Sequence, residues 1–248
     1  MGSMPLPAAC LFDLDGLLLD TEPLHSEAWQ QAAQRFGLHL TVEQLLALRG
    51  RRRLDCAEQV RCWIGQAGQV VPSVEELLAV RQPIAERLLP SAQPMPGAVA
   101  LIAACQDRGV PMAMVTSSSR TAVALKEAPH PWLAAISVRV HGDDPALAAG
   151  KPAPDPYRLA AQRLGVDPRV CWAFEDSQAG VQSALAAGCL VHVLVHRHDH
   201  VAADVVVNWP SSCRLVDDLS AVVLPDCSSL SYEAASIEQS CDDDHGRA

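Results

Sequence analysis

The sequence predicts an α/β protein: a doubly wound core of parallel strands, interrupted early by an all-helical insert. Three observations carry this. From residue 98 onward, short apolar runs alternate with helical patterns, which implies βαβ units and a parallel sheet. Between residues 21 and 90 the patterns are helical, with no convincing strand. The run Pro90-Ser91-Ala92-Gln93-Pro94-Met95-Pro96-Gly97 is the clearest break in the chain and separates the two regimes.

The elements follow in order. Ala8–Asp13 is an apolar run that stops at acid and Gly16, and it predicts a buried first strand. Pro23–Phe36 predicts a helix closed by Gly37. Thr41–Leu48, Leu54–Ile64 and Val74–Leu89 continue the helical pattern. Thr41 and Ser73 are its expected N-caps, because a hydroxyl there satisfies a free N–H at the helix start. Past the break, Ala98–Arg108 is helical and Val110–Thr116 strand-like. Arg120–Ala128 is again helical, and Ile136–Val140 is a short strand. Pro156–Leu164 is a helix with proline in its first turn, where the missing N–H costs nothing. Val170–Phe174 predicts a strand, Ser177–Ala187 a helix ending at Gly188, and Leu190–Val195 a strand. Ala203–Val207 is a candidate for one more. The expected division is a Rossmann-like core over 4–20 and 94–224, a helical cap over 21–93, and a Ser- and Asp-rich mobile tail over 225–248. Met1-Gly2-Ser3 reads as a cloning remnant before a natural start at Met4.

Composition removes several classes of function. With 248 residues and 49% hydrophobic content the chain can bury a core without disulfide staples. It shows neither a membrane-spanning run nor a secretion signal. Its net charge of −10 disfavours nucleic acid or an anionic membrane as a partner. The excess lies outside the insert, whose eight basic residues match its eight acidic ones. Nine cysteines, an odd number with no Cys-x-x-Cys pair, sit mostly in apolar runs. They indicate a reducing compartment, hence the cytoplasm. Lysine occurs only at Lys126 and Lys151. An anionic ligand would therefore need local cations or a metal.

Four features point to one chemistry. Asp13-Leu14-Asp15-Gly16 follows the first strand, Thr116-Ser117-Ser118-Ser119 follows the next clear one, and Glu175-Asp176 ends the strand over 170–174. Lys151 begins a loop into a helix, in Gly150-Lys151-Pro152. Ligands of open parallel sheets bind beyond the carboxyl ends of strands, so these features can converge. They suit phosphoryl transfer. A carboxylate is a nucleophile that is already ionised at neutral pH. A carboxylate-bound magnesium ion offsets its repulsion from a phosphate dianion. A lysine, hydroxyls and loop N–H groups hold phosphate oxygens. A second carboxylic acid protonates the leaving alkoxide and then draws a proton from water. Taken singly, each residue also has a structural reading as a turn, a helix cap or a solvated side chain.

Phe12-Asp13-Leu14-Asp15-Gly16, Val115-Thr116, Gly150-Lys151-Pro152 and Phe174-Glu175-Asp176-Ser177 resemble, in order and spacing, the four motifs of the haloacid dehalogenase-like superfamily. The resemblance spans about residues 8–220. The second aspartate matches the phosphotransferase branch, and the insert resembles the C1-type helical cap of small-metabolite phosphatases and β-phosphoglucomutase. It implies Asp13 as nucleophile, Asp15 as general acid/base with a carbonyl that ligates Mg²⁺, and Thr116 as phosphate-binding hydroxyl, with Ser117 and Ser118 beside it. It implies Lys151 as the bridge between nucleophile and phosphate, Asp176 as a metal ligand, and Glu175 as a direct or water-mediated one. Amides at Leu14 and Ser117 would complete the cradle. The implied activity is a Mg²⁺-dependent phosphatase of a small phosphorylated metabolite, a monomer or weak homodimer.

Two other readings stay open at this point. One is a sugar phosphomutase; the insert lacks the lysine that β-phosphoglucomutases place there, which counts against it. The other is a binding protein that keeps the fold without turnover. Within the insert, His25 is either a substrate or acid/base-gating residue or a helix-packing one, and Trp29 belongs to the core. Arg53, in Arg49-Gly50-Arg51-Arg52-Arg53, matches an arginine that grips a distal phosphate in mutase-like caps; the alternative is a solvated basic turn. Gly142-Asp143-Asp144-Pro145 resembles a stretch of sugar and nucleoside monophosphate phosphatases. His192, His196, His198 and His200 alternate, so they form either a metal-binding face or a wet loop.

Overall fold

The computed structural model describes residues 6–48, 51–195 and 209–225. Six strands form one parallel sheet: β1 (Ala9–Phe12), β4 (Met112–Val115), β5 (Val138–Val140), β6 (Cys171–Glu175), β7 (Leu190–Leu194) and β8 (Arg214–Val216). Their order is β5-β4-β1-β6-β7-β8. The chain thus builds outward from β1 on one side, then returns to build on the other. Helices α5 (Ala98–Asp107), α6 (Arg120–Glu127), α7 (Asp155–Leu164) and α8 (Gln178–Ala187) connect the strands.

Both sheet faces are covered, which is why the strands read as unbroken apolar runs. Alternation of side chains sends Cys10, Phe12, Met112, Met114, Trp172 and Phe174 to one buried cluster. It sends Ala9, Leu11, Ala113, Val115, Cys171 and Ala173 to the opposite one, against α7 and α8. The seven described cysteines are all free thiols, five of them buried.

The insert is helical as expected: α1 (Glu22–Gln34), α2 (Val42–Leu46), α3 (Arg53–Gln66) and α4 (Val74–Leu88). Thr41 and Ser73 both form full capping boxes, with Gln44 and Glu76 reaching back. The helices pack on their own core of Trp29, Ala32, Ala33, Val60, Ile64 and Leu77. Trp29 is therefore a core residue. The chain enters and leaves this insert through a two-residue antiparallel ribbon, β2 (Leu19–Asp20) on β3 (Gln93–Pro94).

Two features differ from the pattern reading. Strand β8 was not anticipated. It is an edge strand with Arg214 and Leu215 exposed, so no alternation marks it. The ribbon β2–β3, two residues on each side, is too short to carry an alternating pattern. The candidate strand 203–207, the histidines 196, 198 and 200, and the tail beyond 225 lie outside the described residues.

Candidate active site

The site grows from the carboxyl ends of three adjacent strands. β1 runs into Asp13, β4 into Thr116, and β6 ends at Glu175 with Asp176 following. β1 is where the winding of the sheet reverses, the point at which open α/β sheets leave a crevice.

Lys151 arrives from the loop before α7. Its ammonium donates to Asp13 Oδ1 at 2.5 Å, to Glu175 Oε1 at 2.5 Å and to the Val115 carbonyl at 2.9 Å. All three of its N–H groups are thereby used. Tyr157 of α7 donates to the same Glu175 oxygen, and the Ser177 hydroxyl donates to Oε2 at 3.2 Å. Burial opposes the charge on Lys151, but Asp13 and then Glu175 outweigh it and hold the lysine above its ordinary value. Burial pushes the Asp13 carboxyl up, Lys151 opposes this, and Glu175, Asp176 and Asp15 add to the rise.

This corner fits a cation. Asp13, Glu175 and Asp176 each bring an oxygen within 4.8 Å of the others, and all three are buried. Lys151 donates to two of the three, Asp13 and Glu175, so one ammonium serves two buried carboxylates. An all-oxygen donor set suits a hard divalent ion. Gly16 makes the approach possible: it sits at φ +84°, and a Cβ there would lie 2.1 Å from Asp176 Oδ2.

Asp15 faces the other way. Its Oδ1 accepts from Thr21 Oγ1 at 2.7 Å and from Lys126 Nζ at 2.6 Å. Its Oδ2 accepts from Ser118 Oγ at 2.8 Å and again from Lys126 at 2.6 Å. Burial would raise this carboxyl, but Lys126 and then His25 overcome it and hold Asp15 well below the usual carboxylate range. His25 reaches Oδ1 at 3.3 Å through Nε2, while its Nδ1 lies 2.9 Å from Arg81 Nη2. Burial, outweighing Asp15, lowers His25 from its ordinary value.

The other expected residues fall as follows. Thr116 is buried, accepts from the Ser118 N–H at 3.0 Å and lies 3.4 Å from Asp15 Oδ2. The Ser118 hydroxyl is committed to Asp15 and Lys126. The Leu14 side chain is fully buried beneath the site. Ser117 packs so closely on Gly142 that a Cβ there would lie 2.0 Å from the Ser117 carbonyl. Arg53 is exposed, donates to Gln82 Oε1 at 2.9 Å, and lines the cleft that holds Asp13 and Asp15. That cleft, of about 270 Å³, runs between insert and core. In the Gly142–Pro145 run, Gly142 and Asp143 line the same cleft. Asp143 Oδ1 accepts from the Arg120 N–H at the start of α6, and Asp144 is gripped by Arg163 at 2.7 and 3.0 Å.

Lys126 and Arg81 escaped the motif reading, as did the part Thr21 plays. The available signal was Lys126 itself, one of two lysines, set on the inward face of α6 with Val123.

Residues 7–188 match the family described as haloacid dehalogenase-like hydrolase. The chain belongs to this family. It is 37% identical over 188 residues to the fructose-1-phosphate phosphatase YqaB of Escherichia coli, covering 73% of this chain and 93% of that one. It is 33% identical over 183 residues to (DL)-glycerol-3-phosphatase 1, mitochondrial, of Arabidopsis thaliana, covering 72% of this chain; the match spans only 60% of the plant protein's length. The crystal structure of CbbY from Rhodobacter sphaeroides with phosphate superposes with a TM-score of 0.71 at 25% identity, over 87% of this chain and 96% of that one. In this chain the parallel core carries the acidic cluster. Among the described residues, no helix is long and apolar enough to cross a membrane.

Proposed function

We propose that this protein is a Mg²⁺-dependent phosphatase that hydrolyses a small phosphorylated metabolite, a sugar or polyol phosphate monoester, through a phospho-aspartate at Asp13. One observation carries the reading. Two aspartates two residues apart face opposite ways in one cleft, Asp13 toward Lys151 and the acidic cluster, Asp15 toward hydroxyls and a second lysine.

In the first half-reaction an Asp13 oxygen bonds to phosphorus while the bond to the leaving alkoxide breaks, and the Asp15 carboxyl gives that alkoxide its proton. In the second, water attacks phosphorus, its proton passes to the Asp15 carboxylate, and the Asp13–phosphorus bond breaks. Lys126 keeps Asp15 ionised when the cleft is empty. An incoming phosphate dianion repels that carboxylate and favours the protonated form the first step needs. Lys151, the Thr116 hydroxyl and the loop amides at Leu14 and Ser117 hold phosphate oxygens; Ser118 contributes through Asp15. Asp13, Asp176 and the Asp15 carbonyl would hold Mg²⁺, with Glu175 direct or through water, and the ion supplies charge neutralisation between nucleophile and phosphate. Glu175 also anchors Lys151.

The insert acts as a lid whose helices wall the cleft and limit its volume to that of a small molecule. His25 sits where it can steady Asp15, and Arg53 at the rim is placed to meet a polar or anionic substrate tail. The relatives' names, a fructose-1-phosphate phosphatase and a glycerol-3-phosphatase, support the substrate class. We further place the protein in the cytoplasm, as a monomer or weak homodimer. A phosphomutase remains the rival; an absolute requirement for a bisphosphate activator would identify it.

The test is phosphate release from a panel of sugar, polyol and nucleoside monophosphates with Mg²⁺ and with EDTA, alongside Asp13→Asn. The reading requires metal-dependent release that Asp13→Asn abolishes while the variant stays folded. Normal turnover by Asp13→Asn sinks it. Silence across the panel, with Mg²⁺ bound, moves the weight to a binding protein.

A further inference from the structure

Each of the chain's two lysines is buried against one of the two aspartates. Lys151 sits on Asp13, and Lys126, with no exposed surface, sits on Asp15. Lys126 donates to both Asp15 oxygens at 2.6 Å and to Ser118 Oγ at 2.8 Å, which occupies its three N–H groups. It does not line the cleft. Ser118 closes a triangle by donating to Asp15 Oδ2 at 2.8 Å. The carboxylate is thus held at both oxygens from the α6 side and at Oδ1 by Thr21 from the insert side.

The position of Lys126 argues that this contact is more than packing. Val123 and Lys126 are the buried residues of α6, so the pattern of the helix calls for an apolar side chain here. A buried ion pair is weak evidence for stability, since well-packed apolar residues do as well or better. The charge is explained by what it does to Asp15.

We infer that Lys126 is a positioning residue for the acid/base step, fixing the Asp15 carboxylate in one orientation at the edge of the cleft without itself touching substrate. The inference rests on the acid/base role proposed above for Asp15.

The test compares kcat/KM, which covers the steps through departure of the leaving group, for alkyl and aryl esters. Fructose 1-phosphate and glycerol 3-phosphate need a proton on the departing oxygen; 4-nitrophenyl phosphate does not. For Lys126→Met we expect a fall of about 100-fold on the alkyl esters against about threefold on the aryl ester, in line with the 10²–10⁴ range of acid–base contributions. Asp15→Asn serves as the reference and shows the same split at larger size. A split in Asp15→Asn without one in Lys126→Met overturns the inference and leaves the proposed mechanism standing. No split in Asp15→Asn overturns the acid/base reading, and the inference with it. An equal fall on both ester types in Lys126→Met makes the lysine an electrostatic or folding element and overturns the inference. Should Lys126→Met fail to fold, Ser118→Ala keeps the lysine but opens the triangle, removing one acceptor of Lys126 and one donor to Asp15. It is expected to give the same split at about fivefold, and its absence is equally decisive against the inference.

Discussion

Arg81 Nη2 lies 2.9 Å from Nδ1 of His25, although 56 residues separate them. Arginine can only donate, so Nδ1 accepts and the proton of a neutral His25 sits on Nε2, directed at Asp15. The guanidinium also covers the ring of Trp29 at 4.8 Å, and burial pulls Arg81 down to about 10. A helix of the insert thereby fixes the tautomer of a residue that touches the proposed acid/base.

Replacing Arg81 by Met keeps the apolar stem over Trp29 and removes the donor. Stability is expected to change by no more than about 1–2 kcal/mol, because the variant also removes a costly buried charge. Turnover of an alkyl phosphate is expected to fall about tenfold as His25 loses its fixed tautomer. Urea unfolding and steady-state kinetics on one preparation check both halves.

Lys151 is the single ammonium among three buried carboxylates. Lys151→Met takes the ammonium from Asp13 and Glu175, which costs about 3–5 kcal/mol when one partner of a buried pair is removed. Equilibrium denaturation in EDTA reads this loss directly. Without metal the loss is expected in full, and millimolar Mg²⁺ restores part of it.

Metal binding itself is open to measurement apart from catalysis. A ligand that binds only the folded state adds about 2.7 kcal/mol at 100 times its Kd, so under the proposed function Mg²⁺ is expected to raise the melting temperature of the wild type. Asp176→Asn keeps the shape beside Gly16 and removes a charge. Its melting temperature is expected to respond to Mg²⁺ only at tenfold or higher concentration. Isothermal titration gives the same comparison without heating.

His192 carries a pH dependence of stability. It lies on β7 between the rings of Trp172 and Phe174, each centroid 4.8 Å away, and its Nδ1 has no hydrogen-bond partner among the described residues. Burial pushes it down to about 4, with Arg214 adding to the effect. The unfolded histidine titrates near 6.5, so between these values the unfolded chain binds more protons. The stability is fully present above about pH 6.5 and is lost as pH falls toward 4, by about 3 kcal/mol. Urea midpoints at pH 7.5 and pH 5 check this, and His192→Leu is expected to flatten the difference.

Much of this site is legible in the chain because its parts are local. Asp13 and Asp15 end an apolar run, Glu175-Asp176 ends another, and Lys151 stands among prolines, so strand ends and motifs coincide. Thr41 and Ser73 are equally plain, since a capping box is written in four residues. The rest depends on distant partners. Thr21 is the N-cap residue of α1, yet its hydroxyl makes no cap hydrogen bond and goes to Asp15. Lys126 lies 111 residues from Asp15, and nothing along α6 announces where its ammonium ends. Ser118 reads as a phosphate ligand, and only the presence of Lys126 shows why its hydroxyl turns elsewhere.

The ribbon in which Leu19 pairs with Pro94 and Asp20 with Gln93 gives the insert a single neck. The two chain segments that join insert to sheet run side by side, as the arms of a hairpin do. The residues between them therefore leave and rejoin the core at one place, while β1 stays beside β4 and β6. Close to that neck, Thr21 and His25 reach across to Asp15, so the hinge of the insert and the carboxylate it touches are one structural unit.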